Sequence, residues 1–399
     1  MASFEMVNVL EHCRLAPAPG TVDEKSLPLT FFDIPWLHFP LIQHLFFYEF
    51  PYPKSHFIDT IIPLLKHSLS LALKHFYPFA GKLIFPPNFG KPEIRYVSGD
   101  AVSLVFAESN KDFNHITGNH QRNVAEFHSL VAQLPPVSII SDSLVAPLLA
   151  VQVTLFPNSG ICIGFTFRRV TADGNACTRF IRSWASINKV GRETTMVESG
   201  SQPQLSTNKV IATFILGQSH VQQLKKWVLS QCPTSYVSTF TVTCAYVWTC
   251  MVKARERSGE KVTEDEFEHF VFGADCRALL QPPLPATYFV AAKTIGEAIQ
   301  ERLRKKEGVL KDAEKWISEF ETRKEDRIVG VAGSPRFAVY DIDFGLGKPK
   351  KSEVVSIDMT GSISLNECKN DKESFEIGLS LPKIKMDAFE DIFANGFQV

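Results

Sequence analysis

Long apolar runs, excess charge of one sign and paired cysteines are all missing from this chain, and each absence excludes a class of protein. No apolar run reaches the length of a membrane span, so a membrane protein is not expected. The formal net charge is -1, from 42 Lys plus Arg against 43 Asp plus Glu, with no basic stripe and no acidic tail. Nucleic acid and anionic membrane surfaces are therefore not expected partners. The eight cysteines contain no C-x-x-C pair and mostly sit in apolar segments, which points to reduced core thiols in a cytoplasmic protein. Met1 to Leu10 carries Glu5 inside its apolar stretch and has no basic n-region, so no secretory signal is expected. Gly-rich phosphate loops are absent too. A G-x-S-x-G nucleophile elbow is also lacking, so no acyl-enzyme intermediate is expected.

What is present describes a large folded protein. The 399 residues exceed what one hydrophobic core usually organises, and 45% hydrophobic against 21% charged residues, with 32 Phe, supply material for two cores. Helical and strand patterns alternate from end to end, an α/β pattern. Ile61 to Phe76 has apolar residues at helical spacing, stopped by Tyr77, Pro78 and Gly81. Leu149 to Leu155 and Ile161 to Phe167 read as strands joined by a turn at Pro157, Asn158 and Gly160, and a helix from Asn175 to about Asn188 follows. The stretch 189–208, rich in Gly, Ser, Thr and Gln, is the expected crossover between an N-terminal domain, 1–188, and a C-terminal domain, 209–399. The second domain is expected to hold a strand (Val210 to Leu216), helices (Ser219 to Leu229 and Ser238 to Arg255) and two charged helices (Ala291 to Lys306 and Lys311 to Arg323). Antiparallel strands and a last helix (Met386 to Phe393) complete it.

The sharpest landmark is Asp341-Ile-Asp343-Phe-Gly345-Leu-Gly347-Lys-Pro349. A short Asp-Phe-Gly also opens the metal-binding segment of protein kinases, but no H-R-D loop and no Gly-rich nucleotide loop accompany it here. Further stretches are Leu27-Pro-Leu-Thr-Phe-Phe-Asp-Ile-Pro-Trp36, Tyr77-Pro-Phe-Ala-Gly-Lys-Leu83, Ala125-Glu-Phe-His-Ser-Leu130 and Phe272-Gly-Ala-Asp-Cys-Arg-Ala278. Together, in this order, they resemble the plant BAHD (HXXXD-type) acyltransferases, in the anthocyanin and flavonoid glucoside branch. The first landmark matches that family's DFGWG signature, with Leu346 where Trp is usual. The resemblance implies two chloramphenicol acetyltransferase-like domains with mixed sheets and a channel between them. It also implies a structural role for Asp343, Gly345 and Gly347, with Asp343 fixing a turn.

The family's catalytic His-x-x-x-Asp-Gly matches Arg169-Val-Thr-Ala-Asp173-Gly174, so the histidine is replaced. A sugar hydroxyl attacks a thioester slowly unless a base takes its proton, and imidazole suits that task near neutral pH. Arginine does not, since its neutral fraction at pH 7 is on the order of one in a million. No histidine lies between His128 and His220 to take over from nearby. His67 and His75, on the first long helix, and His128, expected just after a strand-like run, read as structural or surface residues. Without a catalytic role, Arg169 reads as an ordinary charged residue ending a strand. The resemblance implies that Asp173 is structural and pairs with Arg277 across the domains, although Arg168 and Arg169 offer it nearer partners.

The resemblance implies no permanently bound cofactor, with acyl-CoA as co-substrate. Ser238 and Thr239, at a helix start, and Arg336 are the candidate cofactor-binding residues; Ser238 and Thr239 equally suit a plain N-cap. Two family blocks are expected to be missing: roughly two dozen residues of the crossover, and a strand with its loop after Phe289, which would leave an unpaired sheet edge. The implied activity, of the EC 2.3.1 class, is acyl transfer to the sugar 6-hydroxyl of an anthocyanin or flavonoid glucoside by a cytoplasmic monomer. The amino-terminal segment is closer to coumaroyl-transferring members, so hydroxycinnamoyl-CoA is expected over malonyl-CoA. Because Arg169 stands for the base, turnover is expected to be impaired. The rival expectation is a catalytically silent homologue that binds acyl-CoA or flavonoid glucosides.

Overall fold

Two eight-residue runs without a charged side chain, Leu149–Phe156 and Gly160–Phe167, are buried at every position and pair antiparallel at the centre of the first sheet. Apolar side chains on both faces of a strand demand cover on both faces. The turn between them takes Asn158 to φ 56, a left-handed conformation that asparagine tolerates. The structure, a computed structural model, describes residues 7–30, 33–87, 90–190, 209–233, 237–260, 268–275, 293–295 and 327–397.

The first sheet has six strands in the order Asn8–Leu15, Val102–Glu108, Leu149–Phe156, Gly160–Phe167, Ile42–Glu49, Lys351–Val354, and one pairing in it is parallel. One face carries the helices Ile62–His75 and Gly174–Val190 over a core that includes Phe46, Tyr48, Phe165, Phe180 and Trp184. The other face buries Leu45, Phe47, Phe127, Leu130 and Cys162 together with Ile211 and Val355 of the second half. Gly164 is required there, because a Cβ would run into the Leu130 carbonyl oxygen where that segment crosses the sheet.

The second sheet, also mixed, runs His269–Val271, Ile328–Ala332, Ile363–Glu367, Phe375–Pro382, Lys209–Leu216, Arg122–Asn123. Its core of Val247, Met251, Ile377, Leu379 and Phe389 includes side chains of the helices Thr239–Arg257 and Lys383–Asn395. A smaller five-stranded sheet, Lys25–Pro28, Glu93–Tyr96, Lys82–Phe85, Ser143–Pro147, Ser138–Ile140, belongs to the first half. Each half of the chain thus builds most of one large sheet and lends a strand to the other. Lys351–Val354 pairs with Ile42–Glu49, and Arg122–Asn123 pairs with Lys209–Leu216. Among the described residues no helix is long and apolar enough to cross a membrane.

Three expectations need correction. The chain at Lys293–Ile295 is a strand paired antiparallel with Gly273–Asp275, not part of a helix starting at Ala291. β-branched Thr294 and Ile295 favour that extended form, and the strand before Arg277 is therefore not left alone. His128 ends a short helix, Val124–His128, because Asn123 caps it by accepting from Ala125 N at 3.0 Å. The helix Gly174–Val190 also runs two residues into the stretch expected as crossover. Residues 191–208 and the expected helix Lys311 to Arg323 lie outside the described residues.

Candidate active site

The strand Gly160–Phe167 delivers the chain into a tight turn, closed by Thr171 N donating to Arg168 O at 3.0 Å, and the helix Gly174–Val190 leaves it. Each residue of the turn is held by a different neighbour. Arg168 is tied to the small sheet, its Nε donating to Pro147 O at 3.0 Å. Val170 is buried with Trp36, Leu83, Ala146 and Leu148. Asp173 is buried and caps the helix, Oδ1 accepting from Ala176 N at 2.8 Å. A carboxylate suits this place, since it neutralises unpaired N–H groups at the positive end of the helix. Arg277 lies outside the described residues, so the expected ion pair across the domains has no described geometry.

Arg169 does not extend freely into solvent. Its Cζ lies 4.2 Å from the centre of the Trp36 ring, and Nη1 donates to Ala172 O at 3.3 Å. Trp36 is itself fixed. It ends the short 3-10 helix Ile34–Trp36, is buried, and meets Phe39 edge-on at 4.8 Å. The preceding Asp33 accepts from Thr30 N and Thr30 Oγ1, both at 2.7 Å, which sets that turn. Burial pulls the Arg169 pKa down from its ordinary value while Cys177 and Asp173 push it up. The group remains a cation at neutral pH. The side chain is half-buried.

Across from this turn sits the loop of Arg336. The Phe337 ring reaches Gly174, where a Cβ would come within 3.0 Å of it. Arg182 Nη2 donates to Phe337 O at 2.5 Å and to Ala338 O at 3.3 Å. The structure thus brings the 334–338 segment onto the helix that follows the turn, with the Arg336 side chain exposed. Ser238 caps the helix Thr239–Arg257, accepting from Thr241 N at 3.0 Å, and Thr239 Oγ1 accepts from Lys225 Nζ at 2.7 Å. Both hydroxyls already have protein partners. Among the described residues no group of side chains is arranged to hold a metal ion.

Asp343 stands at the other end of the same helix. Its Oδ1 accepts from Gly345 N at 2.7 Å and Gly347 N at 2.9 Å, and Oδ2 meets Lys189 Nζ at 2.5 Å. Both glycines adopt positive φ, 77 and 83, which a side chain would strain. Phe344, just before them, is buried against Trp184, 4.9 Å between ring centres. With Arg169 before the first residue of the helix and Lys189 near its last, the Asp343 loop is about 24 Å from the turn at 1.5 Å per residue.

Arg182 escaped the sequence patterns, as did His44, and Trp36, although it closes one of the matching stretches, carried no expected role in the site. His44 lies beside Phe165 on the neighbouring strand, with Nε2 2.7 Å from Ser352 Oγ, and burial pushes its pKa down to about 4. Strand alternation places it on the face of Phe46 and Tyr48, which is the only signal the sequence carries for it. His128 is held by Asp358, Nε2 to Oδ2 at 3.0 Å.

A model of the Transferase family matches the chain in three consecutive, overlapping stretches, residues 5–202, 188–302 and 290–395. A malonyl-coenzyme A:anthocyanin 3-O-glucoside-6''-O-malonyltransferase of Dahlia pinnata is 42% identical over 457 positions, covering 100% of this chain and 99% of that protein. Phenolic glucoside malonyltransferase 1 of Nicotiana tabacum is 38% identical, with 98% and 99% covered. The coumaroyl-CoA:anthocyanidin 3-O-glucoside-6''-O-coumaroyltransferase 2 of Arabidopsis thaliana is 34% identical, with 100% and 99% covered. The 457 aligned positions of the Dahlia comparison exceed the 399 residues of this chain by 58, so at least that many positions of the alignment are gaps here. The crystal structure of vinorine synthase matches with a TM-score of 0.69 at 19% identity, covering 96% of each chain, which shows a common fold. Full-length identity of this order, on this two-domain α/β frame, means that the chain belongs to the Transferase family, the BAHD acyltransferases.

Proposed function

We propose that this chain is built to transfer an acyl group from acyl-CoA to the sugar 6-hydroxyl of an anthocyanin or flavonoid glucoside, as a cytoplasmic monomer, and that its own turnover is depressed. The observation that carries the reading is Arg169, pinned over Trp36 in a family whose full-length relatives are named for glucoside acylation. In a competent site a base removes the hydroxyl proton, the alkoxide attacks the thioester carbonyl, and coenzyme A leaves as the thiolate. A guanidinium cannot accept that proton. What remains for this chain is proximity, worth something only if both substrates still bind. Asp173 shapes the turn. Ser238, Thr239 and Arg336 are the proposed contacts for the cofactor.

For the donor, two lines of support diverge. The amino-terminal segment favours a hydroxycinnamoyl thioester, whereas the 42% and 38% identical relatives carry malonyl names against 34% for the coumaroyl one. Full-length identity samples more of the donor channel than one segment does, so malonyl-CoA is the donor to test first. A second reading, a silent protein that binds substrates without turnover, is favoured by the locked Arg169 side chain. Incubation with cyanidin 3-glucoside and either thioester, followed by mass analysis, tests both. An acylated glucoside supports the enzyme. Binding of both substrates without product supports the silent protein, and no binding of either sinks the family-based substrate assignment.

A further inference from the structure

Arg169 is a half-buried cation with few partners among the described residues. Of five guanidinium N–H groups, the described contacts use one, to Ala172 O at 3.3 Å, while the Trp36 face covers the plane at 4.2 Å. Among the described residues no carboxylate forms an ion pair with it. Asp173 acts on it through space, but its Oδ1 is committed to Ala176 N at 2.8 Å at the start of the helix.

A buried or half-buried charge without a counter-ion is costly, and a planar fork of donors matches the two oxygens of a carboxylate. The stack on Trp36 holds that fork still, so little side-chain freedom is lost when an anion arrives. Trp36 covers one side of the guanidinium. Among the described residues the nearest carboxylate, Asp173, turns one oxygen to the helix, which leaves the guanidinium open to an anion carried by a substrate.

We propose that Arg169 turns the centre of this site into a receptor for a substrate carboxylate, so that the chain holds a dicarboxylic acyl thioester, or a glycoside whose sugar is a uronic acid, without turnover. This rests on the acyltransferase reading above, which puts the acyl carbonyl and the sugar hydroxyl at this position. The two sources share one chemistry, a carboxylate arriving where a neutral group would meet a base.

The test is calorimetric titration of the unaltered protein and of Arg169→Gln and Arg169→Lys with malonyl-CoA, acetyl-CoA, a flavonoid 3-glucuronide and the matching 3-glucoside. Circular dichroism and melting temperature establish that the variants are folded. A charge-assisted bidentate contact predicts that one carboxylate-bearing ligand binds about ten- to hundredfold more tightly than its neutral counterpart. Whichever pair shows the difference identifies the source. Arg169→Gln should erase the preference, and Arg169→Lys should keep part of it. Equal affinities within both pairs, or a preference that survives Arg169→Gln, would overturn the proposal while leaving the acyltransferase reading standing. If no thioester and no glycoside binds at all, that reading falls and the proposal with it.

Discussion

Arg122 and Glu353 form an ion pair at 2.9 Å in which both side chains are shut off from solvent, and each belongs to a strand lent to the other half's sheet. Arg122 Nη1 also donates to Ile116 O at 2.9 Å and Nε to His120 O at 2.9 Å, while Glu353 Oε1 accepts from Thr213 Oγ1 at 3.3 Å. The pair therefore locks the exchange of strands that holds the two domains in register. Removing one partner strands a buried charge, so Arg122→Ala or Glu353→Ala should each cost about 3 to 5 kcal/mol in denaturant unfolding. Arg122→Met combined with Glu353→Leu should recover most of that loss. Additive single-variant costs in the double variant would show that the pair is not coupled.

His44 predicts an acid-sensitive fold. Burial holds its folded pKa at about 4, below the roughly 6.5 of an unfolded histidine. Between those values the unfolded chain binds the extra proton, so the contribution is fully present above about pH 6.5 and disappears as pH falls toward 4. The loss should amount to about 3 kcal/mol. His44→Gln, which keeps a hydrogen-bond partner for Ser352, should flatten the stability profile across that window. An unchanged profile in the variant would assign the acid sensitivity to another group.

Asp343 should matter to folding and not to substrates. Asp343→Ala removes the acceptor for two backbone N–H groups and the partner of Lys189, a cost of about 1 to 3 kcal/mol. Affinity for coenzyme A at matched folded concentration should not move. A loss of affinity without a loss of stability would place this loop at the ligand instead.

The strand pair and the helix after it were legible in the sequence because each rests on local chemistry, whereas the Asp343 turn was legible only through the family resemblance. Continuous apolar runs make buried strands, and apolar residues at helical spacing make the helix that follows; the cap that Asp173 supplies to that helix emerged only in the structure. What was not legible depends on residues far apart in the chain or on very short pairings. Trp36 lies under Arg169 only after the small sheet has packed on the turn, and the lent strand Arg122–Asn123 is two residues long. The three-residue strand Lys293–Ile295 was mistaken for a helix start because the charged pattern that follows dominates any local window. Arg169 at the place where the family motif expects a histidine, by contrast, was visible at once, since a motif fixes residue identity where periodicity does not. Its consequence depended on the structure, in which the new side chain is held and not loose.

The most direct test of the account is a comparison of coenzyme A release and acylated glucoside formation by the unaltered protein, Arg169→His and Arg169→Ala at matched folded concentration. A positioned base contributes about 10² to 10⁴ in rate. The account predicts little or no product from the unaltered protein, a rise of at least about a hundredfold in Arg169→His, and far less in Arg169→Ala, which removes the cation without supplying a proton acceptor. An unaltered protein as fast as Arg169→His would contradict the central claim, because the base would then lie elsewhere. So would a folded Arg169→His protein that binds both substrates and gains nothing.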